Sequence, residues 1–349
     1  MTRHGTLAAM IAATALVTGC GGSDGNGESM TAADPGYFND KNDSMATRIS
    51  SARTLEDATT FTAKTIGTDH TFGERHALAD AQDLTVQMFR ASAAQKTPPT
   101  VVVTLDGGEA VTFGPEHAGD RGDGYAPGTG NYHIPNEDGR GGVFAGDQRK
   151  WLWMWDGYPL DHANNFDWGD WLDGEFDPRP RKYHIALGYY QNGYPTDLRR
   201  VAVIGLETAP SDMPTHNVRA LYEGRVQLAT YPTNGGDRTG DYDAEIDLVA
   251  DFSRNSIHGT MYDWENDGED LPGLIYSVAP ASITGNGYTT WMQPHDDCKR
   301  CAPLDQMTST VAGKFYGPYA AETGGTITVA FDGEDGPEIG TGVFYTDRD

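Results

Sequence analysis

With 349 residues the chain has room for about two domains, and its 38% hydrophobic content suffices for packed cores without disulfide or metal staples. Asp and Glu number 51 against 25 Lys and Arg, a net charge of −26, so phosphate backbones and anionic lipid surfaces repel the protein and nucleic acid is set aside as a partner. Gly at 44 positions beside 10% aromatic residues favours a turn-rich, mainly β chain over a disordered one.

The first residues read as a targeting segment. Arg3 and His4 precede an apolar run from Leu7 to Val17 that is too short to span a bilayer, so residues 1–19 are expected to be a signal peptide. Val17-Thr18-Gly19-Cys20 resembles the bacterial lipobox, which implies that Cys20 becomes the lipidated first residue of the mature chain. Several acyl chains, palmitate among them, on one Cys anchor a protein stably, and Gly21 behind it implies the outer membrane. Residues 20–35, rich in Gly, Ser, Asp and Asn, read as a flexible tether.

Residues 36–215 form a variable α+β region. Ser44 is a candidate N-cap for a helix with Met45, Ile49, Ala52 and Leu55 on one side. Leu78, Ala81, Leu84 and Met88 recur at helical spacing in a second segment that Pro98-Pro99 closes, while residues 59–65 fit either a helix or a strand. Residues 101–105 and 110–113, joined by Asp106-Gly107-Gly108, spell a β-hairpin. Residues 114–146 have loop composition. Trp151, Trp153 and Trp155 then alternate with Leu152 and Met154, placing three indoles on one face of a strand, and Trp168 and Trp171 follow in DWGDWLDGEFD. Residues 183–190 and 199–207 read as further strands.

Residues 216–349 hold eight strand candidates, at 219–229, 244–252, 256–262, 274–283, 288–292, 309–316, 326–331 and 340–346, with Gly and Asn in several of the turns between them. Eight antiparallel strands suffice to close a small barrel, and closure would pair 340–346 with 219–229 and remove the exposed edges. Within the sixth candidate Val311, Gly313 and Phe315 alternate with Ala312 and Lys314, the run ends at Gly317-Pro318, and Gly324-Gly325 offers positions free to take positive φ.

The string FYGPYAAETGG in that stretch resembles the C-terminal barrel of the transferrin-binding protein B family of surface lipoproteins. VAVIGLETAPSDMPTHNVRALYEG, with Gly205, Thr208, Pro214, Tyr222 and Gly224, resembles the join between handle and barrel in the same family, where Asn217 stands near a common Gly. The resemblance implies a mainly β fold with one handle and one eight-stranded barrel, non-catalytic binding of a protein or iron-carrying ligand, and display at the cell surface as a monomer.

Trp168 and Trp171, flanked by Asp, are the first candidates for ligand contact, and Trp151, Trp153 and Trp155 the next, because indoles supply large desolvated contact area; core packing is the competing use for the latter three. Haem is an alternative ligand, for which His184 or Tyr183 would supply an axial group, and a purely adhesive surface role is another. Cys298 and Cys301 in HDDCKRCAPL are expected to form a local disulfide in an oxidising compartment, with a His295–Cys298–Cys301 metal site as the lesser alternative. DWENDGED (263–270) fails the calcium-loop template, since Leu274 stands where a bidentate Glu is required, and reads as a turn between strands. The acidic clusters at 120–124 and 167–177 are weaker cation candidates than solvated loops. No nucleophile elbow, zinc-protease, phosphate-loop or dinucleotide motif occurs, so a hydrolase is the least favoured class.

Overall fold

The computed structural model describes residues 44–71, 74–77, 81–91, 98–118, 131–134, 149–155, 183–192, 196–215, 217–233, 240–266, 269–271, 273–299, 301, 309–333 and 336–349. The expected signal peptide and tether, Cys20, Trp168, Trp171 and the acidic clusters at 120–124 and 167–177 lie outside them.

The first region begins with helix α1 (Met45–Ser51), whose N-cap Ser44 accepts from the Thr47 amide and whose Met45 and Ile49 are fully buried. Nine antiparallel strands follow: β1 (Thr59–Thr71), β2 (Glu74–Ala77), β3 (Gln82–Phe89), β4 (Thr100–Leu105), β5 (Val111–Phe113), β6 (Asn131–Ile134), β7 (Arg149–Trp155), β8 (His184–Asn192) and β9 (Thr196–Gly205). Their order is β5-β4-β3-β1-β9-β8-β7-β6, with β2 attached to β1. Strand β1 binds the halves together, pairing with β3 through Thr59–Thr65 and with β9 through Ile66–Thr71.

The helix expected around residues 78–88 is instead strand β3. Leu84 and Met88 are four apart, a spacing that fits either period, but Val86 between them is also buried while Asp83, Thr85 and Gln87 turn away, and that alternation belongs to a strand. The open choice at 59–65 likewise resolves as strand, in β1. The helical share of this region among the described residues is thus α1 and a short 3₁₀ turn, Pro115–His117. Its core gathers Met45, Phe61, Leu84, Val101, Phe113, Leu152, Ile185 and Ile204 from every layer.

The second region is a closed barrel. Strands β10 (Arg219–Pro232), β11 (Gly240–Asp251), β12 (Ser256–Asn266), β14 (Tyr276–Ser282), β15 (Gly287–Pro294), β16 (Ser309–Tyr316), β17 (Glu322–Gly333) and β18 (Gly336–Arg348) each pair with the next, and β18 pairs back onto β10, as the alternation required. A short β13 (Glu269–Leu271) folds against the end of β12, so DWENDGED is the hairpin between them. Inward positions such as Val226, Leu248, Met261, Phe315, Val329 and Phe344 fill the interior, and closure pairs the edges of β10 and β18 with each other.

Two glycines do a different job from the one expected. Gly324 and Gly325 sit in extended β17, and a Cβ on Gly325 would overlap the Ala312 carbonyl, so their role is close approach of neighbouring backbones. Positive φ falls instead on Gly317 (73°), Tyr319 (54°) and Ala320 (56°) in the turn before β17. That turn is held from within the barrel by the Tyr222 hydroxyl, which donates to Ala320 O at 2.6 Å. Asn217, at the join, takes φ 55°, the left-handed conformation for which Asn is the best substitute for Gly.

Candidate binding surface

Alternation decides what each strand of the handle shows to either side. On β8, Ile185, Leu187 and Tyr189 enter the handle core, so His184, Ala186, Gly188 and Tyr190 face outward; on β9, Ala202 and Ile204 enter it, leaving Arg199, Val201 and Val203 outside. Part of this outer face lies on the barrel, where Ala186 and Val203 pack with Tyr316, Val343 and Tyr345. On the same face Trp151, Trp153, Tyr190 and Arg199 are half-buried.

Strand β7 places its indoles there. Leu152 and Met154 are buried in the core, and Trp151 and Trp153 stand half-buried on the opposite side. Trp151 is opposite Tyr190, and Tyr190 is opposite Arg199, so three side chains form a row across three strands. The Trp151 and Tyr190 rings are 4.7 Å apart at 32°, and the Arg199 guanidinium lies 5.1 Å from the Tyr190 centroid, within cation–π range. In the next row Trp153 faces Gly188, where a Cβ would overlap the indole; the missing side chain lets the ring sit over the β8 backbone. Trp155 occupies the register position opposite Ala186, at the seam end of the ladder. Tyr190, Arg199 and Gly188 escape a reading of the sequence, because cross-strand register joins residues far apart in the chain.

The seam itself is polar at its centre. His184, fully buried, puts Nδ1 2.7 Å from Glu322 Oε2, and the Tyr183 amide donates to the same oxygen at 3.2 Å. Glu207, 5% exposed, pairs with Lys314 and accepts from Asn286 Nδ2 at 3.1 Å. Thr208 Oγ1 donates to Gly317 O at 2.6 Å, and the Gly317 amide donates to Leu206 O at 2.9 Å. Burial pushes the Tyr316 phenol well above its ordinary range, with Glu207 adding to the effect, so it stays a neutral donor to Val203 O. These contacts clamp the handle onto the barrel. His184, weighed as an axial haem group, is fully buried against Glu322, Tyr316 and Gly324. Tyr183 lies over Gly317, where a Cβ would overlap its ring.

Cys298 and Cys301 are joined in a disulfide with Cα atoms 5.8 Å apart, which removes both thiolates from the metal site weighed with His295. Among the described residues no three His, Cys, Asp or Glu side chains are grouped to hold a metal ion.

The described residues thus form a handle sheet with an aromatic outer ladder, clamped to a closed barrel. Residues 213–348 match the family model described as the C-lobe and N-lobe beta barrels of Tf-binding protein B, so over that barrel the chain is similar to this family. Among solved structures, a double mutant of transferrin-binding protein B from Haemophilus parasuis Hp5 is 17% identical with a TM-score of 0.38, over 82% of this chain and 45% of that one. A single mutant of that protein is 16% identical at a TM-score of 0.33, over 83% of this chain and 76% of that one. The isotype 1 transferrin binding protein B from serogroup B Neisseria meningitidis is 12% identical at 0.29, over 84% and 77%. This chain therefore spans less than half the length of the first of them. Among curated protein sequences none is significantly similar to it.

Proposed function

We propose that the protein is an outer-membrane surface lipoprotein, anchored through Cys20, that binds an iron-carrying protein of the transferrin class without catalysis. The observation that carries this reading is the handle's outer face: Trp151, Tyr190 and Arg199 are stacked in one row on a sheet whose other face already supplies the core. Trp, Tyr and Arg are the residue types enriched where interfaces concentrate their energy, and rows held by cross-strand register lose little freedom on binding. Trp155, Trp168 and Trp171, expected from the sequence to contact ligand, are included in the proposal. The family match over residues 213–348 supports the class of partner.

The test is binding of immobilised iron-loaded transferrin to the detergent-solubilised mature chain and to the Trp151→Ala/Trp153→Ala variant. The variant is expected to lose at least about tenfold in affinity, since interface anchors cost roughly 2 kcal/mol each, while its thermal midpoint stays near that of the parent. Equal binding by both proteins would remove this face from the interface, and no binding by the parent would remove transferrin as the partner.

A further inference from the structure

Two arginines stand side by side on β9, and alternation sends them to opposite faces. Arg200, 3% exposed, is fully engaged: Nε donates to Gln82 Oε1 at 2.9 Å, Nη1 to Thr68 O at 2.9 Å and Arg199 O at 2.8 Å, and Nη2 to Asp69 Oδ1 at 2.6 Å. Arg199 turns to the outer face, half-buried, with its guanidinium 5.1 Å from the Tyr190 centroid. Among the described residues no carboxylate is paired with that guanidinium, and Asp69, next to its register partner Thr68 on β1, is committed to Arg200. The chain has 51 acidic residues against 25 basic ones, so this is no shortage of carboxylates.

Stacking occupies the face of a guanidinium and leaves its edge, where the N–H donors point, to an incoming group. Tyr190 is itself backed by Trp151 at 4.7 Å, so the cation rests on a rigid aromatic row and little freedom is lost when it is ordered further. The rings keep water from one side of any ion pair formed there, which makes such a pair stronger than one between fully solvated charges. In the neighbouring row Trp153 stands opposite Gly188 and Gly188 opposite Val201, an apolar strip beside the cation.

We propose that Arg199 is the specificity-determining residue of the handle surface and takes the carboxylate of an aspartate or glutamate side chain on the protein partner, with the apolar atoms beside that side chain resting on Trp151 and Trp153. The inference rests on the reading of this face as the contact surface and adds the chemistry that the partner must present. A planar guanidinium holds a carboxylate through two parallel N–H···O bonds, which an amide of the same shape cannot match because one of its two positions is a donor. The net charge of −26 makes the pairing selective, since an acidic partner docked elsewhere on the chain meets repulsion.

The experiment has two readouts, one of which needs no transferrin. The first follows the Arg199 side-chain Nε–H signal of the whole chain by NMR, assigned with Arg199→Lys, during titration with the α-amide of N-acetyl-L-glutamic acid and with its neutral isostere N-acetyl-L-glutamine amide. The expected result is a saturable shift with the glutamate probe, none with glutamine, and a smaller response at the exposed Arg219 of the barrel. The second measures binding of iron-loaded transferrin, which Arg199→Gln is expected to weaken at least about tenfold with a shallower salt dependence, and Arg199→Lys about threefold, because a lysine keeps the charge and loses the fork. No shift, an equal response to both probes, or a response at Arg219 as large as at Arg199 would overturn the proposal. So would an Arg199→Gln protein that binds transferrin as tightly as the parent while Trp151→Ala/Trp153→Ala has lost it, an outcome that leaves the proposed function standing. A parent that binds no transferrin removes that partner, and the probe titration then decides the carboxylate by itself.

Discussion

The handle and the barrel are both antiparallel sheets of eight or nine strands, yet they use their two faces differently. The barrel turns one face inward and closes β18 onto β10, so its outer face is free to be polar nearly everywhere. The handle fills its inner face with core and then spends the outer one twice, first on the barrel through Ala186, Val203 and Tyr345, then on the row of Trp151, Tyr190 and Arg199. The proposed contact surface is the part of the handle's second face that carries this aromatic row.

Three changes would break or sharpen that contrast. The largest effect is expected inside the barrel. Gly325→Val would force a side chain into the Ala312 carbonyl and separate β16 from β17, at a cost of ~3 kcal/mol or more read from urea unfolding. An unchanged midpoint would mean that the closed sheet has slack. Next is the seam: His184→Leu removes the imidazole from beside the Glu322 carboxylate, 7% exposed, and should cost about 3 kcal/mol in thermal or urea unfolding. A neutral result would show that apolar packing alone holds the handle to the barrel.

The smallest effect is local and depends on pH. The Asp57 carboxylate accepts from the Arg53 and Thr54 amides and the Thr54 hydroxyl, and these bonds hold its pKa at about 2. Because the folded value lies below the ordinary 3.8, its stabilisation is present above that pH and is lost as pH falls toward about 2. Protection from hydrogen exchange at the Arg53 and Thr54 amides should therefore fall, relative to the amides of β1, between those two values. In Asp57→Ala it should be low already at neutral pH, and unchanged protection across that range in the parent would refute the assignment.

How much could be read beforehand follows the same division. All eight barrel strands were legible, since one buried face imposes strict alternation and turn residues punctuate it. β17 ran further than its sequence suggested because Gly324 and Gly325 look like a turn until the neighbouring backbones are in place. In the handle, β3 resembled a helix because Leu84 and Met88 satisfy both periods. The indoles of β7 were legible as a stripe, but their partners Tyr190 and Arg199 were not.

By itself the sequence determined the strand-forming segments of the barrel, its closure and the local pairing of Cys298 with Cys301, because each rests on spacing within a short stretch, whereas in the handle β3 was expected as a helix and β6 fell in a stretch read as loop. Tertiary structure alone decided which residues share a row across strands and that His184 would be buried against Glu322. Those outcomes depend on strand register and burial, which are set by contacts between residues distant in the chain.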